Sequence, residues 1–155
     1  KNKIEVYEAR AADIQKDFVL IQEFIPHSFE WRVVRIGHSY FAHKKLIKGD
    51  KTSGSLQKSY DNPPLDLLDY VKEITDKHDL DSVAIDMFSE GKKYLVNEIQ
   101  CIFGQSDPYQ MKVDGVIGRY VYTNKAWDFE AGDFNTNENY DLRLSHALLK
   151  YPIKK

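Results

Sequence analysis

A single cysteine, Cys101, excludes an internal disulfide framework and fits a reducing, cytoplasmic compartment. No apolar run approaches the roughly 20 residues that span a bilayer, so a membrane helix is not expected. The formal net charge is -2, and with no basic excess nucleic acid is not the expected partner. Residues Lys1 to Glu5 carry neither an apolar signal core nor an initiator Met, so a piece of a longer chain is expected. Internal repeats and low-complexity tracts are missing too. Neither a Ser-His-Asp nor a Cys-His constellation stands out. His27, His38, His43 and His78 lack metal-ligand spacing and read as surface or turn residues. Cys101 itself reads as an inert, buried strand residue.

What is present suffices for a packed domain, since 42% of the residues are hydrophobic. Phe18 to Ile25 is a short, mostly apolar run ended by Pro26 and reads as a buried strand. Trp31–Ile36 and Ser39–Leu46 read as a hairpin turning at Gly37-His38. Residues 47–61 are loop-like. Asn62-Pro63-Pro64 offers a helix start, with Asn62 as cap, and Leu65, Leu68, Val71 and Ile74 recur at helical spacing over residues 64–78. Ser82–Phe88 and Tyr94–Ile102 are two further strands. Tyr120–Tyr122 and Trp127–Phe129 flank the polar turn Thr123-Asn124-Lys125, and Tyr140–Lys150 closes the chain as a helix. The expected class is α+β, with a mostly antiparallel sheet and two main helices.

The second hairpin carries the chemistry. Alternation puts Ala84, Asp86 and Phe88 on one face of their strand, and Tyr94, Val96, Glu98 and Gln100 on one face of the next. Antiparallel pairing brings Asp86 opposite or diagonal to Glu98, with side chains within roughly 5–8 Å. Two carboxylates and an amide oxygen suit magnesium, which takes hard oxygen ligands and keeps phosphates in its shell. The same spacing also describes an exposed acidic face on an amphipathic hairpin.

Several strings occur in a familiar order: Leu20 to Ile25, Glu30-Trp31-Arg32-Val33-Val34-Arg35-Ile36-Gly37, His43-Lys44-Lys45-Leu46, Ala84-Ile85-Asp86, and Tyr94-Leu95-Val96-Asn97-Glu98-Ile99-Gln100. Together they resemble the C-terminal half of the ATP-grasp domain. The resemblance is strongest to the branch holding ribosomal-protein-modifying glutamate ligases and ATP-grasp proteins of surface-polysaccharide loci. It covers about Phe18 to Gly104 and loosens beyond, where Phe129 to Glu138 with Asp141-Leu142-Arg143 looks like a shared tail.

The resemblance implies ATP and magnesium, with manganese as a substitute ion, as cofactors. It implies an unidentified carboxylate and an amine as substrates, joined through an acylphosphate. Gln22, Glu23, Phe24 and Ile25 would form the strand whose backbone reads adenine. Glu30 would accept ribose hydroxyls, Arg32 would sit near the phosphates or acyl group, and Lys45 would face the phosphates; Arg32 and Lys45 are the implied catalytic residues. Asp86, Glu98 and Gln100 match the metal ligands, with Gln100 standing where Asn is usual. Lys51-Thr52-Ser53-Gly54-Ser55 is similar to an Arg-Ala-Ser-Gly-Ser loop of the branch, with Lys51 losing bidentate acceptor binding.

Residues 1–17 would continue from a missing first half that brings the glycine-rich loop, and residues 18–155 would be the C-terminal subdomain with its terminal hairpin and helix. Such a half is expected to lack ligase activity and to hold ATP weakly. Its exposed docking face is one route to a homodimer. A non-catalytic ATP-grasp-like module and a phosphotransferase on the same scaffold are the rival readings.

Overall fold

The protein is α+β. The computed structural model describes residues 21, 23–47, 57–91, 93–103, 107 and 110–153. Eight strands form one sheet: β1 (Phe29–Ile36), β2 (Ser39–Leu46), β3 (Lys58–Ser59), β4 (Ser82–Glu90), β5 (Lys93–Gln100), β6 (Lys112–Val113), β7 (Val116–Thr123) and β8 (Ala126–Ala131). Two α-helices, α1 (Leu65–Lys77) and α2 (Tyr140–Lys150), complete the regular structure with a 3-10 turn over Thr136–Asn139. The strand order is β5-β4-β1-β2-β7-β6, with β3 pairing β2 and β8 pairing β7. Every one of these pairings is antiparallel.

Alternation along the central strands decides what each face carries. One face presents Trp31, Val33 and Arg35 of β1 and their register partners Met87, Ile85 and Val83 of β4. Arg35 Nη1 donates to Thr75 Oγ1 at 2.6 Å, which puts α1 on this face. Leu67, Leu68 and Val71 of α1 are fully buried. Each such side chain contributes about 1.5–3 kcal/mol through burial, so this layer is the main source of cohesion. The helix turns slightly from the face expected, since Leu65 is 48% exposed and Thr75 is buried. Pro64 occupies the N-cap position. The Asn62 side chain instead pairs with Asp114, donating to Oδ1 at 2.8 Å and accepting from its N–H at 2.9 Å.

The opposite face carries Glu30, Arg32, Val34 and Ile36 of β1. Its half near the β1–β2 turn is covered by the C-terminal part of the chain. Arg143 of α2 donates to Ser82 Oγ at 3.2 Å and to the carbonyls of Phe103 and Cys101 at 3.0 and 2.9 Å. That fork ties α2, the segment after β5 and the start of β4 together, and it supplies a role for a residue of the tail. No residue of α2 is buried, and Leu144, Leu148 and Leu149 of its expected apolar face are exposed. None of the described helices is long and apolar enough to cross a membrane.

Two expectations are corrected. Within the strand expected over Phe18–Ile25, residues 18–20 and Gln22 lie outside the described residues, as does the 51–55 loop. Ile21 and Glu23, Phe24 and Ile25 form no strand, because no described strand lies beside them to complete a ladder, and Ile21 and Phe24 are 86% and 75% exposed. Cys101 is exposed because β5 ends at Gln100 and the chain leaves the sheet there.

Candidate functional site

Register brings four ionisable side chains into one row. His43 on β2 faces Arg32 on β1, Arg32 faces Asp86 on β4, and Asp86 faces Glu98 on β5. Directly opposed residues share a face, so the row lies on the side away from α1. One step along the same face, Glu30 is the register partner of Lys45.

Hydrogen bonds join Arg32, Asp86, Lys45 and Glu30, with Gln100, into a network, and Glu98 lies beside it by register. Arg32 grips Asp86 with both arms of its guanidinium, Nε to Oδ1 at 2.7 Å and Nη2 to Oδ2 at 2.8 Å. The same Nη2 donates to Gln100 Oε1 at 3.1 Å. Lys45 Nζ donates to Asp86 Oδ2 at 2.7 Å and to Glu30 Oε2 at 2.9 Å. The Asp86 side chain is 1% exposed, whereas Glu98 stands on the solvent side. Burial alone would raise the Asp86 carboxyl, but Arg32 and Lys45 outweigh it and hold the group below the usual carboxylate range. Burial likewise works against the Arg32 charge, and Asp86 with Glu98 and Glu30 restores it, raising its pKa. A buried charge gripped from two sides is costly to orphan, on the order of 3–5 kcal/mol when one partner is removed.

An exposed acidic face is therefore the wrong description of Asp86, and the cations around it are more than surface pairs. Asp86, Glu98 and Gln100 do come together as expected, with Arg32, Lys45 and Glu30 beside them. A β-bulge changes what joins them. The register moves from Asp86↔Glu98 to Met87↔Val96, so β5 has one extra residue at Asn97. Val96 and Tyr94 are thereby turned to the α1 face, where Tyr94 Oη donates to Asp66 at 3.0 Å, and do not share the face of Glu98. Asn97 Nδ2 donates instead to Glu30 Oε1 at 3.3 Å. The bulge has no sequence signature, so Asn97 was not foreseeable as a member of the site.

His27 is the second unforeseen neighbour. Its Nδ1 lies 2.7 Å from the Ile25 carbonyl oxygen, its Nε2 lies 3.7 Å from Glu30 Oε1, and its ring packs 4.3 Å from that of Phe88. Phe24 extends this aromatic rim, 6.3 Å from His27. His43 also departs from expectation. It is 1% exposed, with Nδ1 2.9 Å from the Gln110 carbonyl oxygen. Burial, helped by Lys58, pushes its pKa down to about 4, so it is neutral at pH 7. His38 and His78 are exposed, as their turn positions imply.

Asp86, Glu98 and Gln100 offer oxygen donors, the type a hard divalent cation takes. Two carboxylates and an amide oxygen crowd one guanidinium, and Asp86 Oδ2 and Gln100 Oε1 already share one Arg32 nitrogen. No group of three or more His, Cys, Asp or Glu side chains suited to a metal occurs among the described residues, so a metal here would need Gln100 or a ligand oxygen as its third donor. Comparison with family models, with curated proteins and with solved structures returns no match to the chain.

Proposed function

We propose that this chain is the nucleotide- and magnesium-binding part of an ATP-dependent carboxylate–amine ligase, an ATP-grasp C-terminal subdomain that works through an acylphosphate. The observation that carries the reading is the cluster on one sheet face: Asp86 and Gln100 hydrogen-bonded to the cations Arg32 and Lys45, with a third oxygen donor, Glu98, opposite Asp86 by register. Phosphoryl transfer requires little else from a protein than positioning and charge neutralisation. Asp86, Glu98 and Gln100 would hold magnesium, which when bound neutralises phosphate charge and polarises the oxygens to which it is attached.

Lys45 and Arg32 would take phosphate oxygens, Lys45 as a point charge and Arg32 as a planar fork. Glu30, buried and already an acceptor, would receive hydroxyl donors of the ribose. Phe24, His27 and Phe88 supply an aromatic rim of the kind that packs against a flat base. The adenine-reading backbone is assigned to residues 22–25, of which Gln22 lies outside the described residues. The acceptor substrates are an unidentified carboxylate and amine, and surface-polysaccharide biosynthesis is the setting suggested by the branch.

Glu98→Gln is the discriminating variant, because the side chain is exposed and its loss leaves the Asp86 pairs intact. In the protein that carries this domain, metal-dependent ADP formation is expected to fall by about a hundredfold or more, the scale of losing one strong electrostatic contact to the transition state. Turnover equal to that of the unaltered protein would remove Glu98 from the metal site. A non-catalytic nucleotide-binding module is the second reading, and the Arg32–Gln100 bond favours it, since it engages the amide oxygen a metal would use. ATP binding with no ADP formation by that protein would select it. A phosphorylated hydroxyl product in place of an amide would instead select a phosphotransferase.

A further inference from the structure

Among the described residues, α2 meets the rest of the molecule along one side. Leu142 packs against the core, Arg143 donates to Ser82 and to the carbonyls of Phe103 and Cys101, and His146 Nε2 lies 3.0 Å from Asp81 Oδ2. Lys150 Nζ donates to that same Asp81 oxygen at 2.6 Å. The side turned to solvent carries Tyr140, Leu144, Leu148 and Tyr151, whose spacings of four, four and three stack them into one stripe. All four are exposed, Leu144 at 60% and Leu148 at 45%. Beside the stripe runs a groove of about 560 Å³ whose lining includes Ile102, Tyr140, Leu144, Ala147 and Tyr151, and Ile102 itself is 87% exposed.

Contiguous apolar surface of this extent marks an interface. Ile102 and the four stripe residues together offer an area comparable with the roughly 800 Å² per partner that a standard interface buries. Charge selects the occupant. Asp141 stands in the first turn of α2 and Lys150 in the last. A second α2 laid antiparallel brings Asp141 toward Lys150 of the other copy and unlike dipole ends together, whereas a parallel one would set like against like. A two-fold axis at the middle of the helix pair also places Leu144 against Leu148 of the other copy, twice over, and closes the assembly at two copies. We infer that this chain forms a two-fold homodimer through α2, with the Tyr140–Leu144–Leu148–Tyr151 stripes packed antiparallel along each other's grooves. Such a dimer leaves the ion cluster open, whether or not that cluster binds nucleotide. Glu30 lies six residues along β1 from Ile36, at the end away from α2, which is roughly 20 Å of strand. A missing half that closes over the cluster would therefore meet the sheet far from the stripe.

Sedimentation velocity of the 155-residue chain tests this. The unaltered chain is expected to run at twice the monomer mass at tens of micromolar. Leu144→Glu and Leu148→Lys each replace an exposed side chain, so both should keep the circular dichroism of the unaltered chain and run as monomers at that concentration. Mixing the two variants in equal amounts should restore the dimer. Antiparallel packing sets the new glutamate of one copy against the new lysine of the other, and leaves the second Leu–Leu contact intact. An unaltered chain that stays monomeric at several hundred micromolar would overturn the inference and leave the groove to another segment of a longer chain or to a different partner. A dimer that persists in both variants would place the contact elsewhere on the molecule and overturn it too. Variants that are monomeric alone and remain so when mixed would overturn the antiparallel pairing of Leu144 with Leu148.

Discussion

Asp86 sits where β4 crosses the middle of the site, and its neighbours decide how substitutions there behave. With the side chain 1% exposed and two cations bound to it, any change at this position disturbs folding as well as ligand binding. Glu98, opposite it and exposed, separates the two effects. His43 in the same row offers a prediction that needs no ligand. Its folded-state pKa of about 4 lies below the ordinary value of 6.5, so the unfolded chain binds more protons between those limits. Stability is therefore full above pH 6.5 and declines as pH falls toward 4, by roughly 3 kcal/mol for a shift of this size. Urea unfolding at pH 7.5 and pH 5 should show the decline, and His43→Gln should flatten it relative to the unaltered chain. An identical pH slope in the variant would contradict the burial account.

At the scale of elements, the β1–β2 turn is where small changes should be felt furthest. Gly37 has φ +57°, and a Cβ there would approach His146 Nδ1 of α2 at 2.5 Å. Gly37→Ala combines left-handed strain with displacement of α2, and a loss of about 1–2 kcal/mol is expected in thermal unfolding. An unchanged melting temperature would mean that α2 docks on this turn less closely than described.

The elements themselves were mostly legible. Trp31–Ile36, Ser39–Leu46 and the residue 64–78 helix carry clear two-fold or helical periods, and observed boundaries differ by two residues or fewer at each end. β3 and β6 are two residues each, too short for any period to register, and they exist only because β2 and β7 offer edges to pair with. Alternation on β4 placed Asp86 correctly beside Glu98. Alternation on β5 failed at Tyr94 and Val96, because a bulge resets the two-residue period and depends on how two strands fit together. Bonding partners were less legible still: the length of a side chain does not say that Arg32 will reach both Asp86 and Gln100.

For the molecule as a whole, the two sheet faces divide the labour. The α1 side holds Trp31, Val33, Ile85 and Met87 in the core with Leu67, Leu68 and Val71, and that apolar layer holds the strands in register. The other side is covered at the β1–β2 end by α2 and the segment around Phe103. Toward Glu30 and Lys45 it carries the ion network instead. The sheet thus holds six polar side chains from four strands on one face, which the proposed charge-positioning site would need. The central claim, that this face holds metal and nucleotide, is tested most directly by calorimetric titration of the 155-residue chain with ATP, once with magnesium and once with excess chelator. Saturable binding in the micromolar-to-millimolar range is predicted with magnesium, and its loss is predicted in chelator and in Glu98→Gln. Heats that are the same with magnesium and with chelator would contradict the account.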